Sequence, residues 1–330
     1  MSNQTMTIAK ALNTGLRTAM ERDRKVLVMG EDVGKLGGVF RITDGLQKDF
    51  GEHRVLDTPL AESGIIGTAV GLALHGFRPV CEIQFDGFVF PGFDQIVSQL
   101  SKLRFRSQGK LPMPVVVRIP FGGGIGAVEH HSESPESLFA HVPGLKVVAC
   151  ANPSDAYAMI QQAIASDDPV IFFEPKRRYW EKAEVDLGAT PPPLHSSRVV
   201  RSGANGTLVT YGPTVRTCLD AATAAEADGL DLEVIDLRTL SPLDLVPVYD
   251  SVRHTGHLVV VSEAPGESSV ASEVVARVQQ ECFYSLEAPI LRVTGFDTPY
   301  PPSKIEEDYI PDLDRILDAV DRSLAHRERV

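Results

Sequence analysis

The chain has 330 residues and a formal net charge of −12, with a sequence pI near 5.2. That length suits about two domains with real apolar cores, and the acidic balance argues against nucleic acid or an anionic membrane as the main ligand, since a basic face supplies most of the affinity for either. Cys81, Cys150, Cys218 and Cys282 stand far apart without a CxxC pair, a usage that fits inert thiols in a reducing compartment better than zinc ligands or disulfides.

The N-terminal stretch "MSNQTMTIAK" is polar and lacks the apolar centre of a signal peptide, and "IIGTAVGLALHGF" is too short to span a bilayer. A cytoplasmic chain is expected. From there short β-branched runs alternate with amphipathic segments. "KVLVMGE", "PVCEIQF", "PVVVRIP", "LKVVAC" and "PVIFFEP" read as strands, and "SGIIGTAVGLALHG", "FDQIVSQLSKLRFRS" and "PSDAYAMIQQAIAS" read as helices. This rhythm predicts an α/β fold with a mainly parallel sheet covered on both faces. After "EPKRRYW" it lapses, and Pro191, Pro192 and Pro193 forbid helix. A second alternation follows: "TLVTYG", "LEVIDL", "HLVVVSE" and "APILRVTG" as strands, with helices near 213–227, 243–253, 271–283 and 313–325. The expected organisation is therefore two α/β domains, 1–187 and 200–330, joined by a proline-rich linker over 188–199.

Three stretches carry candidate chemistry. In "FGGGIGAVEHHSESPES", Gly122, Gly124 and Ala127 imitate a dinucleotide loop. No helix can open at those glycines before Pro135, however, and no acid follows at the expected strand end. The chain also lacks a Walker lysine, G-x-S-x-G and H-E-x-x-H. The stretch reads instead as a helix entrance, with Ser134 as N-cap and Pro135 at the first helical position, which would set His131 beside a positive helix end that favours neutral imidazole. A solvent-facing loop histidine is the bland alternative. Metal ligation is disfavoured, because adjacent side chains diverge and no second ligand cluster is visible.

In "DTPLAESGIIGTAVG" a strand ends at Asp57 and a small-residue helix begins near Glu62. That carboxylate either complements the helix dipole or, desolvated by Leu60, Ile65 and Ile66, serves proton transfer. In "EIQFDGFVFPGF", Phe85, Phe88, Phe90 and Phe93 crowd a strand's carboxyl end, where ligands of open parallel sheets bind and a ring can offer a flat face. Most such phenylalanines are core.

Taken together, "GEDVGKLGGVFRITDGL", "RVLDTPLAESGIIGTAVGLAL", "RPVCEIQFDGFVFPGFDQI", "HHSESPESLFAHVPGLKVV", "EVIDLRTLSPLD" and "GFDTPYPPSKIEEDYIP" resemble the β subunit of the thiamine diphosphate-dependent decarboxylating component of 2-oxo acid dehydrogenase complexes, over nearly the whole chain. The resemblance implies a transketolase-like pyrimidine-binding domain, a transketolase-type C-terminal domain, and an α2β2 heterotetramer served by a lipoyl acyltransferase core. It gives Glu62 the hydrogen bond to the cofactor's aminopyrimidine ring, Phe88 the stacking position, and Leu60 and Gln84 supporting contacts. It makes His131 the active-site histidine that positions the 2-oxo acid and assists acyl transfer to the lipoyl group. No GDG motif occurs here, so the resemblance leaves Mg2+ and the diphosphate to the α subunit, and this chain by itself is expected to be inactive and to hold no metal.

Three departures from the family pattern stand out. Glu133 replaces a common glutamine and adds charge near His131; "GESSVASEV" replaces a glycine-richer stretch; and Ser166 replaces an acid in "AIASDDPV", where some relatives bind potassium. "HHSESPES" with "EPKRRYW" looks most like branched-chain enzymes, which points to 3-methyl-2-oxobutanoate, with pyruvate and then acetoin as alternative substrates. A non-catalytic interaction subunit is the alternative from another class.

Overall fold

The computed structural model describes residues 3–326; residues 1–2 and 327–330, the outer ends of the two expected domains, lie outside it. Two compact units emerge. One runs to Phe121 and resumes over Leu138–Leu194; the other comprises Gly122–Ser137 and the chain from His195 onward. The later boundary, between Leu194 and His195, falls inside the proline-rich stretch. Gly122–Ser137 groups with the second unit.

In chain order the first unit and the segment interrupting it contain β1 (Asn3–Thr7), α1 (Ile8–Arg22), β2 (Val26–Gly30), α2 (Leu46–Phe50), β3 (Val55–Asp57), α3 (Glu62–Leu74), β4 (Arg78–Glu82), α4 (Ser101–Arg106), β5 (Val116–Phe121), α5 (Glu136–Ala140), β6 (Lys146–Ala149), α6 (Pro153–Ala165), β7 (Val170–Pro175) and β8 (Lys182–Asp186). Six parallel strands lie in the order β6-β7-β5-β4-β2-β3. Every residue of β2, β5 and β7 is buried, as a parallel sheet covered on both faces requires. Helix α1 starts at Thr7, whose hydroxyl accepts the Lys10 N–H, and it crosses α6 at Gly15, where a Cβ would stand 2.4 Å from Ile160 Cγ2. Leu12 and Leu16 of α1 and Met159 and Ile160 of α6 join one apolar cluster with Val28, Val80, Val116 and Phe172 of the sheet; each such side chain contributes roughly 1.5–3 kcal/mol on burial. The lapse after "EPKRRYW" holds a strand after all: β8 pairs antiparallel with β1, Asn3 opposite Asp186 and Thr7 opposite Lys182. The helix expected over "FDQIVSQLSKLRFRS" forms as a π-helical turn, Gln95–Leu100, running into α4.

The second unit contains β9 (Arg198–Arg201), β10 (Gly206–Thr210), α7 (Thr214–Ala225), β11 (Leu232–Asp236), β12 (Thr239–Ser241), α8 (Val246–Thr255), β13 (Leu258–Pro265), α9 (Val270–Cys282), β14 (Leu291–Gly295), α10 (Glu306–Tyr309) and α11 (Leu313–Leu324). Its sheet runs β14-β13-β10-β11-β9, parallel except at the β9 edge. Cys218, Ala221 and Ala222 of α7 and Ile316, Ala319 and Val320 of α11 cover Leu208, Val234, Val259 and Val261. In "GESSVASEV", Ser268 takes the left-handed conformation (φ 50°) that a glycine would adopt without cost. Ser269 then caps α9 by accepting the Ser272 N–H at 3.2 Å. All four cysteines are free and buried, and burial pushes the Cys81 and Cys218 thiols up to about 12, which makes them unreactive.

At the carboxyl ends of the first unit's central strands a buried charge cluster replaces apolar packing. Arg118 of β5 is 1 % exposed and bonds Glu174 of β7 through two nitrogens, at 2.7 and 3.0 Å, and Glu82 of β4 at 2.6 Å. Tyr179 donates to the same Glu174 at 2.7 Å. Burial pushes the Glu82 carboxyl up, against the pull of Arg118; burial by itself would lower the guanidinium, but Glu174 and Glu82 outweigh it. Arg118→Met leaves two carboxylates buried without their cation and is expected to destabilise by about 3–5 kcal/mol, read as a lower urea midpoint. An unchanged midpoint would show that the strand ends do not depend on the clamp.

Candidate active site

Three strand ends of the first unit converge. Strand β2 runs into Glu31 and Asp32, the latter left-handed at φ 55°. Strand β3 ends at Asp57, which accepts the Gly34 N–H at 2.6 Å, and Thr58 N–H donates to the Gly30 carbonyl at 2.9 Å. Helix α3 then opens at Glu62, which is 7 % exposed. Strand β4 leads through Gln84 and Phe85 into a 3-10 helix, Asp86–Gly92, that carries Phe88. This helix lies so close to α3 that a Cβ on Gly92 would sit 3.3 Å from the Glu62 carbonyl oxygen. The expected ligand end of a parallel sheet thus assembles Glu31, Glu62, Gln84 and Phe88.

Gln84 Nε2 lies 3.5 Å from the Glu31 carbonyl and 3.4 Å from Asp32 Oδ2. Phe85 meets Phe40 and Phe88 edge-on, with centroids 5.4 and 6.0 Å apart, and Lys176 Nζ sits 5.8 Å over the Phe85 ring while forming a buried ion pair with Asp86. Phe88 is half-buried, as a side chain that keeps one face available should be. Leu60 departs from expectation. It is 74 % exposed and does not desolvate Glu62, whereas Ile65 and Ile66 belong to the buried core.

The perturbed acid is a neighbour that the sequence reading passed over. Glu31 is pushed up to about 7 by burial and by the charges of Glu62 and Asp32, and its Oε1 is buried without a hydrogen-bond partner, as is Thr58 Oγ1. The signal was present in "VLVMGED": an acidic pair directly behind a fully apolar strand. A carboxyl that titrates near neutrality beside a second buried carboxyl suits proton exchange with a ligand nitrogen.

His131 belongs to the second unit. It lies in a single 3-10 turn, Glu129–His131, with Nδ1 2.8 Å from the His130 carbonyl and the two imidazole centroids 4.3 Å apart. The helix entrance is weaker than expected, because α5 has five residues and starts at Glu136. Backbone amides hold the loop instead. Gly122 N–H donates to the Glu133 carbonyl at 2.9 Å; Gly123 N–H donates to the Glu263 carboxylate; Gly124 N–H reaches Tyr300 Oη at 3.1 Å and Glu306 Oε2 at 3.2 Å; Gly126 N–H reaches Glu306 Oε1 at 2.9 Å. Glu136 accepts from Tyr211 at 2.5 Å. The charge of Glu133 is felt at Tyr309, whose hydroxyl is pushed up to about 12 by burial, then by Glu263 and Glu133.

The stretch weighed for potassium already holds a cation of the chain. Arg78 Nη1 donates to the Ile164 and Ser166 carbonyls at 3.0 Å each, Nη2 pairs with Asp167 at 2.9 Å, and Arg104 pairs with Asp168 at 2.8 Å. The donor set does not fit an added ion, and no step is assigned to one.

Comparison with known proteins now decides the family. Residues 4–181 match the "Transketolase, pyrimidine binding domain" and residues 195–316 the "Transketolase, C-terminal domain". The "Pyruvate dehydrogenase E1 component subunit beta" of Leifsonia xyli subsp. xyli is 62 % identical over 323 residues, covering 98 % of this chain and 96 % of that one. The chain belongs to the family of 2-oxo acid dehydrogenase E1 β subunits. The "3-methyl-2-oxobutanoate dehydrogenase subunit beta" of Mycobacterium tuberculosis is 53 % identical to this β subunit, covering 97 % and 92 %. The "2-oxoisovalerate dehydrogenase subunit beta" of Pseudomonas aeruginosa is 46 % identical, covering 94 % and 93 %. A solved chain described as "Split gene transketolase, inactive beta4 tetramer" superposes with a TM-score of 0.81 at 22 % identity, covering 98 % and 99 %, and that likeness shows the two-domain transketolase fold. Among the described residues no helix is long and apolar enough to cross a membrane.

The Glu31 shift carries a pH signature. Its folded value, about 7, lies above the ordinary 4.5, so the folded state binds the extra proton and this group's favourable contribution is lost as pH rises through about 7. Glu31→Gln is expected to match the parent in melting temperature below about pH 4.5 and to exceed it increasingly up to pH 8. A difference independent of pH would refute the assignment.

Proposed function

We propose that this β subunit works with an α subunit, as α2β2, in a thiamine diphosphate-dependent enzyme of the cytoplasm. The enzyme oxidatively decarboxylates a branched-chain 2-oxo acid, 3-methyl-2-oxobutanoate and its homologues, and passes the acyl group to a lipoyl domain of an acyltransferase core. The observation that carries the reading is the buried Glu62 carboxylate at the joined ends of β2, β3 and β4, with Glu31 beside it titrating near 7. Nothing in packing calls for two acids there.

Thiamine diphosphate, when bound, supplies the carbon nucleophile and electron sink that decarboxylation of a 2-oxo acid needs. The residues of this chain fit its aminopyrimidine end. Glu62 holds and moves a proton at a ring nitrogen, Phe88 lays its half-buried ring against the heterocycle, Gln84 offers an amide from the same strand end, and Leu60 supplies apolar surface. The Mg2+ and the diphosphate fall to the α subunit, since no GDG motif occurs in this chain. His131 orients the 2-oxo acid and moves the proton that accompanies acyl transfer to the dithiolane sulfur.

Pyruvate is the second reading, favoured by the 62 % identical relative named as a pyruvate dehydrogenase subunit. One methylene in an apolar pocket discriminates by only about 1–3 kcal/mol, so a few side chains decide between the two.

Reconstitution with the α partner, Mg2+ and thiamine diphosphate, followed by artificial-acceptor reduction, is expected to favour 3-methyl-2-oxobutanoate. A preference for pyruvate would keep the mechanism and replace the substrate. In that assembly Glu62→Gln is expected to lower turnover about 10²–10⁴-fold, the range for removing a proton-transfer group; undiminished activity would leave the chain an interaction subunit. His131→Ala should depress lipoyl acylation far more than cofactor affinity.

A further inference from the structure

The glycine loop that precedes His131 has the backbone of an anion cradle. Gly122, Gly124 and Gly126 are left-handed, at φ 80°, 79° and 73°, and residues of opposite hand in alternation turn successive amides toward one side, an arrangement that binds anions. The anion here belongs to the chain itself. Glu306, the first residue of α10, places Oε1 2.9 Å from the Gly126 amide and Oε2 3.2 Å from the Gly124 amide, and it is 7 % exposed. Tyr300 is inserted into the same bridge: it donates to Glu306 Oε2 at 3.0 Å while its oxygen receives the Gly124 N–H at 3.1 Å. The fit leaves no room for a side chain, since a Cβ on Gly123 would stand 1.8 Å from the Tyr300 oxygen.

We propose that Glu306, supported by Tyr300, is a positioning residue of the reaction: its carboxylate latches the Gly124 and Gly126 amides and thereby fixes the turn that presents His131. The inference rests on the role given to His131 above. Two residues separate Gly126 from the Glu129–His131 turn, and the loop is closed on its far side by the bond from Gly122 to the Glu133 carbonyl. Charge-assisted bonds of a carboxylate to backbone amides are about twice as strong as neutral ones, so the latch, with the Glu263 bond to Gly123, is a stiff tie on this arm of the loop, and it is the one nearest the His131 turn. Loss of it lets His131 wander by an ångström or more without removing any group that touches substrate.

The test is a double-mutant cycle in the reconstituted holoenzyme, with steady-state kcat and KM for the 2-oxo acid measured against a lipoyl-domain acceptor, and hydrogen exchange of the 122–131 peptide read in parallel. Glu306→Ala is expected to lower kcat about tenfold to a hundredfold, the cost of ångström misplacement, with KM changed less than about threefold. The peptide should exchange faster. Glu306→Gln, which keeps one acceptor oxygen, should recover part of the loss, and His131→Ala with Glu306→Ala should be no slower than His131→Ala by itself, because the latch acts only through the imidazole. A multiplicative double variant, or normal kcat in Glu306→Ala despite faster exchange, would overturn the latch and leave His131 in place. Full turnover of His131→Ala would overturn the reading beneath it, and the latch with it. Should Glu306→Ala fail to assemble, Tyr300→Phe carries the same cycle: a smaller, non-additive fall in kcat is expected, and unchanged kcat refutes the proposal.

Discussion

A guanidinium removed from water ties the first unit together beside the candidate site. Arg118 joins β4, β5 and β7 by clamping Glu82 and Glu174, and a buried cation of this kind is stable only because both carboxylates satisfy it; removal of any one partner strands a charge in the interior. The cluster sits at the carboxyl ends of the strands, so it fixes how the chain leaves β4 and β7. Tyr179, bonded to Glu174, packs against Phe40, and Phe40 meets Phe85. Lys176, three residues before Tyr179, is paired with Asp86 at the head of the 3-10 helix that carries Phe88. Each link passes rigidity from the clamp toward the residues assigned to the pyrimidine ring.

The same strand ends explain why the acids there behave unlike surface acids. Glu31, Glu62 and Glu82 leave neighbouring parallel strands or open the helix between them, and all three are buried. Glu82 has Arg118 within 2.6 Å. Glu31 is buried among like charges, so it takes up a proton near neutrality. Burial pushes both carboxyls up, Glu82 against the pull of Arg118 and Glu31 with the added push of Glu62 and Asp32, so what distinguishes them is the charge of the nearest partner.

The second unit holds its histidine loop by another means. No cation is needed, because the glycines expose backbone amides and Glu263 and Glu306 accept from them. The dinucleotide motif that the glycines imitate uses such amides for a phosphate; here the anion is internal, which is a physical reason for the loop not to hold a dinucleotide.

Much of the architecture was legible in the chain, because apolar periodicity is a local property. The β-branched runs that became β2, β5, β6 and β7 had to be buried on both faces, and the segments that became α6, α7 and α11 carry helical spacing. Glu62, Phe88 and His131 stood out by their place, an acid at a helix start, a ring at a strand end and an imidazole behind glycines, and by the family motifs around them. Strand β8 was hidden, since "KAEVD" pairs at an exposed edge and has little apolar content. The raised Glu31, the Arg118 clamp and the Glu306 latch depend on pairs 31, 36, 56 and 180 residues apart. The sequence by itself determined the α/β class, the two-part division and the candidate residues, all of which follow from spacing along the chain. Only the tertiary structure decided which acid is desolvated, which carboxylate is neutralised and which one grips the histidine loop, because burial and charge pairing are set by neighbours that sequence distance does not encode.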